Sequence, residues 1–136
     1  MYIHHFAIWT HDIEKVKDFY LKYFSCTPNK KYENTEKQFE SYFITFTGGM
    51  RIELMWNPGI SEKKDSDTIG LAHFAIIVGT KENVDRLTEQ LERDGYTINS
   101  YPRTKGDGYY ESVVSDPENN RIELVATRDS IEANTF

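Results

Sequence analysis

Four residues combine a chemically useful side chain with a context that is written twice. His5 opens the tetrapeptide His5-Phe6-Ala7-Ile8, and His73 opens the same tetrapeptide, His73-Phe74-Ala75-Ile76. Glu53 sits in Arg51-Ile52-Glu53-Leu54, and Glu123 sits in Arg121-Ile122-Glu123-Leu124. Two neutral imidazoles and two carboxylates form a donor set suited to a first-row divalent ion. The four lie far apart along the chain, so this is not a short-spacing zinc motif, and the signal is the repetition itself. A carboxylate inside a strand, flanked by Ile and Leu, is costly to bury unless a cation or hydrogen bonds compensate it. Duplication also preserves purely structural features, and a single strand His or Glu is commonly just hydrogen-bonded or solvated. The repeat alone leaves both readings open.

The elements that must position these residues repeat as well. After each HFAI segment comes a short polar turn and then a helical pattern. The first helix is expected over Asp12 to Phe24, with Asp12 as N-cap and Ile13, Val16, Tyr20 and Phe24 on one face. The second is expected from about Lys81 to Asp94, capped by Thr80, with Val84, Leu87 and Leu91 as its apolar stripe and Gly95 as its stop. Two extended stretches follow each helix: Thr27–Glu33 (weakly marked) and Glu40–Thr47 in the first half, Thr97–Tyr101 and Tyr109–Ser115 in the second. Gly48-Gly49 and Asp116 to Asn120 supply the turns into the two RIEL strands.

Each half therefore reads β-α-β-β-β. The expected fold is α+β: two tandem βαβββ modules, about 1–56 and 69–127, forming a mixed, curved, eight-stranded sheet with helices on its outer face. The polar segment 57–68 is the expected linker, and 128–136 the tail. Period-two alternation places His4, Phe6 and Ile8 on the helix side, and His5, Ala7 and Trp9 on the open side. The same logic separates Ile52, Leu54 and Trp56 from Arg51, Glu53 and Met55, and Glu123 from Ile122 and Leu124. Both modules thus present one His and one Glu on the open face, beside small alanines.

Composition narrows the classes of function. Apolar residues at 38% and aromatics at 14% describe a globular chain and not a disordered one. The net charge of −6, with lysines and arginines interspersed among acids, argues against nucleic acid as a partner. No apolar run approaches the ~18 residues of a membrane span. The opening MYIHHFAIWTHD lacks the layout of a secretory signal, and Cys26 is the sole cysteine. A cytoplasmic chain that binds a small molecule is the expectation.

With HFAI opening and RIEL closing each half, the chain resembles the vicinal-oxygen-chelate superfamily, which holds glyoxalase I, bleomycin-resistance proteins, fosfomycin-resistance transferases, extradiol dioxygenases and methylmalonyl-CoA epimerase. The resemblance runs from Tyr2 to about Thr127. Its ending, Gly106 to Glu111 through Asp116 to Leu124, looks very like the last hairpin of bacterial glyoxalase-like members, and the full set of His5, Glu53, His73 and Glu123 points nearest to glyoxalase I. It implies metal ligands at His5, Glu53, His73 and Glu123, one divalent ion per site (Zn, Ni, Co or Mn), and a homodimer with sites at its interface. It also implies lyase or isomerase chemistry on a vicinal-oxygen substrate, such as the hemithioacetal of a 2-oxoaldehyde, through an enediolate. Glu123 is then the catalytic base, with Glu53 as the alternative. One departure stands out: bacterial glyoxalase I has an arginine where this chain has Trp9, and an indole cannot pair with the carboxylates of glutathione.

Trp9, Phe43, Trp56, Tyr109 and Tyr110 are candidate substrate-lining residues. Arg103 and Lys105 are candidates to meet an anionic substrate from the Gly-rich loop at Thr104 to Gly108. His4 and His11 are assigned no metal role, and Cys26 has no neighbouring base to make it a nucleophile. Two other functional classes remain: a binding protein that sequesters an antibiotic or toxin, and a metal-dependent dioxygenase or transferase.

Overall fold

A computed structural model describes residues 1–63 and 67–128. The chain divides into two compact units, Met1–Lys63 and Lys64–Phe136. In the first unit the order is β1 (His5–Trp9), α1 (Ile13–Tyr23), β2 (Cys26–Pro28), β3 (Tyr32–Asn34), β4 (Phe39–Phe46) and β5 (Arg51–Trp56). In the second it is β6 (His73–Gly79), α2 (Lys81–Arg93), β7 (Ile98–Thr104), β8 (Tyr110–Ser115) and β9 (Arg121–Ala126). The fold is α+β; the second unit is a βαβββ module, and the first follows the same plan with one strand more.

The helices start where side chains can satisfy their free N–H groups. The Asp12 carboxylate accepts from the backbone N of Lys15, and Thr80 Oγ1 accepts from that of Asn83. α2 ends on Gly95, whose φ of +89° suits a residue without Cβ, while the Tyr96 N–H returns to the Leu91 carbonyl. Each helix buries one stripe against the sheet of its own unit: Ile13, Val16, Phe19, Tyr20 and Tyr23 from α1, and Val84, Leu87, Thr88 and Leu91 from α2. The sheets answer with Ile44, Ile52 and Leu54 in the first unit and Val114, Ile122 and Leu124 in the second, all at 1% exposure or less.

The two sheets share one topology. The first runs β1-β5-β4-β2, with β3 also on β4, and the second runs β6-β9-β8-β7. In both, the module's first strand lies parallel to its last, and the other pairings are antiparallel.

The described residues hold nine strands, where the sequence reading counted eight. The stretch expected at Thr27–Glu33 splits into β2 and β3 on the same edge of β4. Pro28 has no N–H to give a ladder, and Asn29 bridges the break: its N–H donates to the Phe43 carbonyl, and its Oδ1 accepts from the Phe43 N–H. β7 runs on to Thr104, beyond the expected Tyr101, so Arg103 lies in a strand and not in a loop. The strand tolerates Pro102 because it is an edge strand whose register shifts between Ser100 and Arg103.

His4 also departs from expectation. It precedes β1, is exposed, and turns toward Arg51 and His5 rather than toward the helix side. Alternation binds only residues held in the ladder.

On the helix side of the first unit, Glu14 accepts from Lys17 Nζ at 2.9 Å, Lys31 Nζ at 3.1 Å and the Tyr42 hydroxyl at 2.8 Å. The Lys17 hydrogen bond is the largest influence on the Glu14 carboxyl. With Tyr42 and Lys31 it outweighs burial and holds the carboxyl down at about 2. A depressed carboxyl contributes stability above its ordinary value of 4.5 and loses that contribution as pH falls toward 2. The stability difference between the parent and Glu14→Gln, followed by thermal melts, should therefore shrink as pH is lowered through that window. Leu124→Ala should cost about 2–5 kcal/mol in a denaturant titration, because it opens a cavity under α2.

Candidate functional site

The parallel pairings decide which side chains can meet. On the open face of the first unit, strand register lays out three rows: His5, Arg51 and Thr45; then Ala7, Glu53 and Phe43; then Trp9, Met55, Ser41 and Tyr32. The second unit repeats the plan with His73, Arg121 and Ser115; Ala75, Glu123 and Val113; and Ile77, Val125, Glu111 and Arg103. In each case an alanine stands directly opposite the glutamate, and the histidine is its diagonal neighbour. The alanine methyl leaves room for imidazole and carboxylate to lean together. His5 Nε2 lies 3.4 Å from Glu53 Oε2, and His73 Nε2 lies 3.1 Å from Glu123 Oε1. The imidazoles are the more exposed partners, and the carboxylates are mostly buried.

These separations match the bite of a small cation. Two donors each ~2.1 Å from one ion are roughly 3.0–3.4 Å apart for angles between square and tetrahedral. Among the described residues, His, Cys, Asp and Glu do not gather in groups of three or more around a point. What each unit assembles is a two-donor pair.

The two pairs sit in different surroundings. His5 packs edge-on against Phe43 at 5.1 Å, and the Arg51 guanidinium lies over the same ring at 5.6 Å. One row away, Trp9 is 44% exposed and meets Phe39 edge-on at 6.3 Å, with Tyr32 beyond Phe39 at 6.2 Å. The corresponding row of the second unit is charged. Glu111 is only 3% exposed and is paired with Lys105 Nζ at 3.0 Å. That bond raises the lysine above its ordinary value, and the nearby Glu123 and Asp107 add to the effect. The Lys105 loop is closed by its own backbone, N–H to the Tyr109 carbonyl and Gly108 N–H to the Lys105 carbonyl.

The candidates thus divide. Trp9 and Phe43 share the open face with His5 and Glu53. Lys105 reaches the corresponding face of the second unit, where Glu111 engages it. Arg103 is exposed, opposite Glu111 in the ladder, and donates to Ser100. Tyr109 is exposed in the turn, with Arg128 over its ring. Trp56 and Tyr110 fall on the helix side. Trp56 is paired with Glu40, and the Tyr110 hydroxyl donates to Asp85 of α2 at 2.6 Å. That contact and burial push Tyr110 up to about 12, burial contributing most. Cys26 donates to the Tyr20 carbonyl and is raised by burial to about 11, which suits a packing residue and not a nucleophile.

Two features had no counterpart in the reading of the sequence: the contacts of His4, and buried Glu111. Alternation along β8 does place Glu111 in line with Val113, on the face that carries Glu123, and that was the available signal. No helix among the described residues is long and apolar enough to cross a membrane.

Comparison with known proteins agrees with this fold. A Bacillus subtilis protein, the uncharacterized YqjT, is 30% identical over 112 residues, which is 66% of this chain and 87% of that protein. A glyoxylase/bleomycin resistance protein/dioxygenase domain from Frankia superposes with a TM-score of 0.81 at 17% identity, over 95% of this chain and 93% of that one. Trypanothione-dependent glyoxalase I from Leishmania major gives a TM-score of 0.76 at 21% identity, over 98% and 91%. The fosfomycin resistance protein FosX from Listeria monocytogenes, solved with Mn(II) and sulfate, gives 0.70 at 20% identity, over 97% of each chain. The family profile for the Glyoxalase/Bleomycin resistance protein/Dioxygenase superfamily matches residues 2–124, nearly the whole chain, and the protein belongs to that superfamily.

Proposed function

We propose that this protein is a cytoplasmic, metal-dependent lyase or isomerase of the glyoxalase I type. It acts on a small vicinal-oxygen substrate such as the hemithioacetal of a 2-oxoaldehyde. The observation that carries the reading is the repeated imidazole–carboxylate pair, 3.4 Å and 3.1 Å apart, on the open face of each module. One divalent ion (Zn, Ni, Co or Mn) takes His5, Glu53, His73 and Glu123, a mixed nitrogen and oxygen set that suits such ions. Neither pair is a complete set. The second pair comes from the other module, either of the same chain or of a second copy in a homodimer. Closed two-fold dimers are the commonest soluble oligomers, and the shared-site dimer is the form proposed here.

When bound, the ion supplies Lewis acidity, which acidifies the C–H next to the substrate's coordinated oxygens. The protein's own groups do the rest. Glu123, largely shielded from water at the centre of its sheet, carries the proton between adjacent carbons, with Glu53 as the alternative base. Glu111 neutralises Lys105, so this ammonium is held as a fixed partner of a buried carboxylate instead of a free anion clamp. Trp9 presents an apolar, aromatic surface one row from Glu53. It favours an apolar or aromatic group on the substrate over the carboxylates of glutathione. The trypanothione dependence of the Leishmania relative supports a thiol partner that varies across the superfamily.

The second reading is sequestration of an antibiotic or toxin on the exposed aromatic group Trp9, Phe39 and Tyr32. Under that reading binding should survive thorough chelation and no turnover should occur.

Titration calorimetry with Zn(II) should give about one ion per chain, and His73→Ala should weaken binding by a factor of at least about a hundred. Full affinity in His73→Ala excludes the site. A mixture of His5→Ala and His73→Ala chains that exchange subunits should partly regain metal binding, because in a shared-site dimer one site carries both lesions and the other none. No recovery places the site within one chain. The glutathione–methylglyoxal adduct should be turned over far below the diffusional ceiling of ~10⁸ M⁻¹s⁻¹ in kcat/KM. Exchange of Trp9 for Arg should raise that value, and efficient turnover by the parent protein would contradict the role given to Trp9.

A further inference from the structure

We infer that Arg51 and His4 form a directed hydrogen-bond chain that fixes which ring nitrogen of His5 carries the proton, and that this chain opposes cation uptake at the first module's pair. The second half of the inference rests on the metal reading above; the first half does not.

The direction follows from what each group can do. Arg51 Nη2 lies 2.7 Å from His4 Nε2. A guanidinium only donates, so His4 Nε2 accepts, and the neutral ring keeps its one proton on Nδ1. That Nδ1 is 2.7 Å from His5 Nδ1, and the two rings meet edge-on at 5.0 Å. His4 therefore donates, and His5 Nδ1 accepts. The proton of neutral His5 is then on Nε2, the nitrogen that faces Glu53 Oε2 at 3.4 Å.

An imidazole binds a cation through a lone pair. In the arrangement seen here the nitrogen beside Glu53 carries a proton, and the lone pair of His5 is turned toward His4. Neutral His5 can offer Nε2 to a cation only as the other tautomer, with its proton on Nδ1. That N–H would face the Nδ1–H of His4, donor against donor. His4 becomes an acceptor there only by moving its own proton to Nε2, where it would face the guanidinium. With both rings neutral, cation binding through His5 Nε2 is incompatible with the Arg51–His4 bond and the His4–His5 contact held together, so one of the two must break. Once free of Arg51, His4 can accept the outer N–H of a ligating His5, the usual arrangement around metal-bound histidines.

Among the described residues the second module lacks this chain. Ala72 precedes His73 and can neither donate nor accept through its side chain, and Arg121 reaches Asp67 at 3.3 Å instead. The two repeated pairs are therefore not equivalent: the first is latched and the second is not. Arg51 and His4 act as positioning residues, through His5.

Long-range ¹H–¹⁵N NMR of the imidazoles in the metal-free, ¹⁵N-labelled protein reads the tautomers directly. In the parent, His5 should be protonated at Nε2. Arg51→Met keeps an apolar stem over Phe43 and removes the donor, and His4→Phe keeps a ring and removes the relay. Both should shift His5 toward the Nδ1–H form and leave His73 unchanged. Zn(II) affinity in Arg51→Met should rise about tenfold, as a larger fraction of the chain holds the competent tautomer. A parent His5 protonated at Nδ1, or a tautomer that neither variant changes, would overturn the chain. Zinc binding with unchanged affinity in Arg51→Met would overturn its opposition to the cation. If the tautomers behave as stated and Zn(II) binds to none of these proteins, the chain stands and the metal reading falls.

Discussion

The structure turns on the register of one parallel pairing, made twice. In each module the first strand lies beside the last so that an alanine stands opposite a glutamate, Ala7 opposite Glu53 and Ala75 opposite Glu123. That register makes His5 and His73 the diagonal neighbours of those carboxylates. A slip of one residue would send Glu53 or Glu123 to the helix side and bring Ile52 or Ile122 to the open side. The apolar cores beneath α1 and α2 forbid the slip, because Ile52, Leu54, Ile122 and Leu124 are each buried to 1% exposure or less. Stability and site geometry are thus consequences of the same alternation. The face that must be apolar fixes the face that carries the His–Glu pair.

The modules share this frame and diverge one row from the glutamate. In the first, that row is Trp9, Met55, Ser41 and Tyr32, with Phe39 between the two outer rings. In the second it is Ile77, Val125, Glu111 and Arg103, with Lys105 on Glu111. A buried carboxylate is tolerated there because an ammonium compensates it at 3.0 Å. Under the proposed function the repeated residues would carry the shared chemistry, and the unrepeated ones would set selectivity. Trp9, His4 and Glu111 belong to the second group.

Most of the frame was legible in the sequence, because its signals are local or periodic. The N-caps at Asp12 and Thr80, the Gly95 stop and the burial of Ile52 and Leu54 against exposed neighbours all follow from short-range rules. So does the pairing of His with Glu on one face, since period two and a repeat suffice to give it. What escaped depends on edges and on contacts across loops. Pro28 ends β2, so the expected Thr27–Glu33 stretch is two strands, whereas Pro102 is accepted by an edge strand, so β7 continues past the expected Tyr101 to Thr104. His4 lies outside the ladder, and its orientation is set by Arg51, a residue distant in sequence. Trp56 and Tyr110 are candidates by their aromatic character alone, and alternation assigns both to the helix side. The Glu111–Lys105 pair spans a turn, where no periodicity operates.

The central claim is that two separate His–Glu pairs serve one ion, and paramagnetic NMR tests it most directly. Mn(II) is added in sub-stoichiometric steps to ¹⁵N-labelled protein while the amide signals of Ala7 and Ala75, the residues opposite the two glutamates, are followed. One shared ion predicts that both signals broaden together, in the same proportion, and are complete at one ion per chain. Broadening of one signal without the other, or at separate equivalents, would contradict a shared site, and no broadening of either would contradict a metal site altogether.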